Sequence, residues 1–165
     1  MPERIKLDSP AWDSDHWDGV DDPREELSRI LQSSNPTTDE VDNMLEGTYY
    51  VDNPSPHFYY LIPYLLDIFE KHPSVSSVQL FCTYLHRAKD GRPSERCLEQ
   101  LDQSRSRIVN LLLNMYQSNF STGKSTYHEC KWILAALATL PVSICTRDKL
   151  IYQLKNWIGT YSTTG

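Results

Sequence analysis

The spacing of apolar side chains around the centre of the chain limits its fold more than any other feature. Phe58, Leu61, Ile62, Leu65, Leu66 and Phe69 recur at steps of three and four. That period lines them along one face of an α-helix, whereas a strand would scatter them over both faces. The same pattern returns in Val75, Val78, Phe81, Cys82 and Leu85, and again in Leu98, Leu101, Ile108, Leu112 and Met115, where Arg105 fills one polar step. Tyr127, Cys130, Ile133, Leu134 and Leu137 form a further stripe, and Leu150, Ile151, Leu154, Trp157 and Ile158 another. Two shorter stripes precede them, Leu27, Ile30 and Leu31, then Val41, Met44 and Leu45. The expectation is an all-α chain of about seven helices, with no strand required.

Local signals punctuate these stripes. Asp22 is placed to cap the first helix, with Pro23 at its first position and Glu25 at capping-box spacing. Ser33-Ser34-Asn35-Pro36 stops that helix, and Thr37 with Glu40 repeats the capping-box spacing at the start of the next. Asp52-Asn53-Pro54 marks a turn before a helix that starts near Pro56 and ends at His72-Pro73. Pro63 falls inside that helix, where it removes a backbone donor and predicts a bend. Paired helix starts near residues 23, 56 and 94 are separated by about 33 and 38 residues, close to the periods of helical-repeat families. Stacked helical hairpins are therefore preferred over an irregular bundle.

With 165 residues the chain suits a single domain, 1–165, in which 1–21 is an irregular acidic N-terminal arm without helical period. Hydrophobic residues make up 39% and charged residues 23%, ordinary for a globular core and unlike a disordered chain. No apolar run approaches the roughly 20 residues that span a bilayer, and nothing resembles a signal segment. A cytoplasmic protein without membrane contact is expected. Cys82, Cys97, Cys130 and Cys145 lie far apart in sequence, as reduced and packed thiols would.

Charge is distributed unevenly. The net charge is −6, and residues 1–26 hold nine acids against three bases, so the rest of the chain is neutral. An acidic front repels phosphate backbones and attracts basic surfaces, which disfavours direct nucleic-acid binding.

Motifs for chemistry are weak. Ser121-Thr122-Gly123-Lys124-Ser125 ends like a phosphate loop, yet Ser118 stands where that motif needs glycine, and a helix pattern precedes it where a strand is required. Cys82 and His86 share a helix face, but without a second ligand pair of recognised spacing they do not make a zinc site with His128 and Cys130. No serine sits in a Gly-x-Ser-x-Gly elbow. His57 and Asp52, near Tyr49, Tyr50, Tyr59 and Tyr60, remain the one pair that could line a pocket. No catalytic residue, metal or cofactor is assigned.

The arm is the most distinctive stretch. Trp12, Asp13, Asp15, His16, Trp17, Asp18 and Asp21 combine charge that speeds encounter with aromatic area that anchors a docked partner. Both tryptophans are expected to lie across the surface of the body. With Tyr49, Tyr50, Asp52, His57 and Tyr60 these residues form the candidate partner-binding set. The aspartates miss the EF-hand spacing, which argues against calcium.

The run 45–66 carries a short helix end, a polar and aromatic loop, and a proline-containing stretch of Pro63, Leu65 and Leu66. In this it resembles small bacterial HEAT-like proteins of the toxin-immunity type. The resemblance covers about a fifth of the chain and implies stacked hairpins and a function of binding and blocking a toxin. The leading expectation is a non-catalytic protein that inhibits a basic partner. Its rivals are a small enzyme with a tyrosine- and histidine-lined pocket and a scaffold or oligomerisation module.

Overall fold

A computed structural model of the chain describes residues 3–50, 53–88 and 91–115. The described elements are α1 (Ala11–Ser14), α2 (Arg24–Gln32), α3 (Thr38–Gly47), β1 (Tyr49–Tyr50), β2 (Asn53–Pro54), α4 (Pro56–Lys71), α5 (Val75–Ala88) and α6 (Glu95–Met115). The architecture is all-α. The stripes at 127–137 and 150–158, the loop at 121–125 and the thiols at 130 and 145 lie outside the described residues, so of the seven expected helices five are seen here, and α1 is a sixth that was not expected.

Helix starts follow the local chemistry. At α3 the capping box is complete, with the Glu40 backbone N–H donating to Thr37 Oγ1 at 3.2 Å and the Thr37 N–H to Glu40 Oε2 at 2.8 Å. At α2 the helix begins one residue later than the spacing indicates. Asp22 still caps it by accepting from the Arg24 backbone N–H at 3.1 Å, while no side chain closes a box there.

Three expectations are corrected. The chain does contain strand, an antiparallel ladder with Tyr49 opposite Pro54 and Tyr50 opposite Asn53. Two residues per strand are too few to leave any period in a sequence. The arm is not irregular throughout, since one turn of helix, α1, forms within it. Leu31 and Leu98 face solvent rather than the core, at 41% and 40% exposed.

The inward face of α6 keeps Ile108, Leu112 and Met115 of the expected stripe and adds Cys97, Gln100, Ser104 and Leu111. The arm contributes to that face. It lies over this helix, with the Ile5 N–H donating to Gln100 Oε1 at 3.4 Å, so two polar side chains are buried where a sequence stripe looks broken.

Packing pairs alternate helices. Thr38 meets Ser74 just before α5, and Tyr49 beyond α3 stacks on Tyr84 at 4.1 Å, so α3 and α5 run side by side in the same direction. Likewise Arg96 in the first turn of α6 shares Asp15 with Tyr60 of α4, and Arg107 reaches Asp67 and Glu70 further along, so α4 and α6 run together. Two of the helix pairs thus join elements two places apart, while α2 packs on its neighbour α3.

Helix α4 is the centre. Twelve of its residues are buried, from His57 through Phe69, including Pro63. Its apolar period suggested a single stripe, yet α5, α6 and the arm enclose it on several sides. Phe81 of α5 packs against both Phe58 and Phe69, at 6.0 and 5.8 Å, one on either side of Pro63. A helix-interior proline costs about 3 kcal/mol. Burying each large apolar side chain returns about 1.5–3 kcal/mol, so the helix continues through it.

Candidate functional site

The site is built from the segment between α1 and α2 and from the α3–α4 connection. Two hydrophobic anchors fix the arm. Trp12 is fully buried, its indole Nε1–H donating to the Lys6 carbonyl at 2.9 Å. Its ring packs edge-on to Tyr60 at 5.3 Å and tilted over His57 at 5.2 Å. Val20, at the far end of the segment, is buried as well.

The tyrosines of α4 supply the polar side of this seam. Tyr60 and Tyr64 stand one turn apart, and both hydroxyls reach the arm, Tyr60 donating to Asp15 and Tyr64 to the Ile5 carbonyl at 2.8 Å. Burial and the Asp15 carboxylate push the Tyr60 phenol far above its ordinary range. Burial likewise raises Tyr59, to about 12. Neither hydroxyl ionises near neutrality.

His57 is sealed in the same seam. A carbonyl accepts only, so the 2.6 Å contact to the Trp12 oxygen places the proton on Nε2. The lone pair at Nδ1 is buried without a partner. Burial lowers the imidazole below its usual value, and the ring is fully shielded from solvent. His57 and Tyr60 are therefore corrected as partner-contact residues, as is Trp12. Trp12 fixes the arm to the body, but as a ring buried between the arm and α4 rather than one lying across the surface. Asp52, the proposed companion of His57, lies outside the described residues.

Several of the acids are already engaged by this chain's own cations. Arg24 holds both Asp13 and Asp22, at 2.5 and 2.6 Å, and that hydrogen bonding lowers the Asp22 carboxyl. Arg96 holds Asp15 at 2.9 Å. Among the described residues no cation pairs with Asp18 or Asp21, and both are exposed.

What remains at the surface is compact. Residues 17–20 make a tight turn, the Val20 N–H donating to the Trp17 carbonyl at 3.4 Å, with Gly19 at φ +87°. That backbone suits glycine. A Cβ at Gly19 would meet Tyr50 Cε2 at 3.0 Å, so the turn lies flat against the Tyr50 ring. Trp17 and Tyr50 are 40% and 49% exposed, and Asp18 and Asp21, in and just after the turn, are exposed as well. The Asp21 N–H donates to the Gly47 carbonyl at 3.0 Å, tying the turn to the end of α3.

No family model, curated protein or solved structure matches this chain.

Of the proposed set, the structure brings Trp17, Asp18, Asp21 and Tyr50 together at the surface. His16 is exposed beside the seam, its ring 5.3 Å from His57. Tyr49 is half-buried against Tyr84, while Asp13 and Asp15 are exposed or half-buried but paired. Gly19, Arg24 and Arg96 were absent from that set. A glycine two residues after a tryptophan, in a run of aspartates, was the available signal for the turn; the arginine pairings cross up to 81 residues and leave none.

Cys82 and Cys97 are reduced and buried, and burial raises both thiols. Among the described residues no group of His, Cys, Asp and Glu could hold a metal ion. No described helix is long and apolar enough to cross a membrane.

Proposed function

We propose that this chain is a protein-binding protein, an immunity-type inhibitor that docks a basic partner such as a toxin on the surface formed by Trp17, Asp18, Asp21 and Tyr50. One observation carries the proposal: two large aromatic rings stand in water around a flattened turn, next to carboxylates that no cation of the described chain neutralises. Aromatic area of this kind supplies binding energy once water is excluded. The neighbouring charges favour encounter with a cationic face.

The arm's acidity divides accordingly into two parts. Asp13, Asp15 and Asp22 serve the fold through Arg24 and Arg96. Asp18 and Asp21 are left for recognition.

The test is capture of the partner from the native source by the full chain and by a Trp17→Ala/Tyr50→Ala variant. A basic protein held by the first and lost by the second supports the proposal. Each truncation is expected to cost about 2 kcal/mol, roughly thirtyfold in Kd. Raising salt should slow association. Recovery of both chains only as free monomers at low salt would overturn it.

A further inference from the structure

The arm closes over an imidazole whose cationic form the seam does not accommodate. His57 lies in the first turn of α4, where the backbone N–H groups disfavour positive charge. The ring is fully buried, its Nε2–H donating to the Trp12 carbonyl at 2.6 Å and its Nδ1 facing no partner. Three elements surround it. From the arm come the Trp12 ring at 5.2 Å and the His16 ring at 5.3 Å. Its own helix presents Tyr60 at 6.2 Å, whose hydroxyl is committed to Asp15. At the start of α2 stand Asp22, just before the helix, whose charge favours a protonated ring, and Arg24, its first residue, whose charge opposes it. Asp22 is largely spent on Arg24, which it meets through both oxygens.

We infer that His57 is a pH-sensitive latch for the N-terminal arm: a proton taken from solvent at Nδ1 puts a cation into the first turn of α4 beside His16 and releases the arm. Only the consequence for binding rests on the function proposed above. With the arm loose, the turn carrying Trp17 and Asp18 loses its anchor on one side.

The direction follows from linkage. Burial holds the closed imidazole below 6.5, and release returns it toward that value, so the open form binds the proton more tightly. The open fraction therefore grows as pH falls from about 6.5 toward the lowered value, by up to about tenfold per unit.

Exchange protection of the Trp12 indole N–H, measured by NMR on the full chain and referenced to free indole, reads the latch without any partner. The resonance is assigned by its loss in Trp12→Phe. Protection is expected to begin falling near about pH 6.5, to drop by up to about fivefold by about pH 5.5, and to level off only where the His57 ring itself titrates, below its ordinary value. In His57→Gln, which keeps a donor for the Trp12 carbonyl, the drop should vanish. Protection that stays constant from about pH 7 to 5, a drop that persists in His57→Gln, or a His57 ring that titrates at or above its ordinary value in the closed protein would each overturn the latch. In the unmodified chain, a protection loss that sets in above the pH at which the His57 ring titrates decides the matter even if His57→Gln does not fold.

Discussion

Two tryptophans five residues apart meet opposite fates. Trp12 is fully buried and hydrogen-bonded, whereas Trp17 is 40% exposed. Their sequence surroundings are alike, acidic and without helical period, so the difference comes from what each ring meets after folding. Trp12 falls between Tyr60 and His57 of α4; Trp17 begins a turn whose inner side is already filled by Tyr50. Trp12→Ala should therefore cost about 3–5 kcal/mol of stability. Trp17→Ala should stay within about 0.5 kcal/mol and alter only binding. Urea unfolding followed by circular dichroism separates the two, and equal losses would show that Trp17 belongs to the core.

Within elements, the signals that worked were local ones. The Thr37–Glu40 box was legible because its two bonds join residues three apart, and the structure forms both. Thr37→Ala is expected to lower stability by about 1 kcal/mol, seen as a fall in Tm without change in the denaturant slope. Apolar periodicity located five of the six described helices. It missed α1, a single turn, and on α6 it placed Ile108, Leu112 and Met115 inward correctly but not Leu98. Leu98 is apolar and points out, while Gln100 and Ser104 are polar and point in. An inward polar residue is stable only with a partner, and the one Gln100 finds is the backbone of Ile5, 95 residues away.

For the molecule as a whole, the arm is part of the fold. Besides the seam at Trp12, Arg4 and Arg107 close on Asp67 from the arm and from α6, with α4 between them. Burial by itself would raise the Asp67 carboxyl, but the two guanidinium groups outweigh it and hold the carboxyl below its usual range. A lowered carboxyl contributes stability above its unfolded pKa and loses it as pH falls through the folded one. Asp67→Asn should therefore weaken the protein at neutral pH and make no difference well below about pH 4. The pair is about a third exposed, which limits the effect to about 1 kcal/mol. Urea midpoints across pH check this, and a deficit that persists in acid would assign the loss to packing. The sequence by itself determined the all-α class, the principal helix starts and the acidic lead-in, because these depend on neighbours within a few positions. Only the tertiary structure decided that Asp13 and Asp15 are spent on arginines and which ring of the arm is buried, because those outcomes depend on partners 11 to 81 residues distant. The acidity read as one recognition feature thus separates into a structural part held by Arg24 and Arg96 and a surface part at Asp18 and Asp21, for pairing consumes charge and pairing is set by the fold.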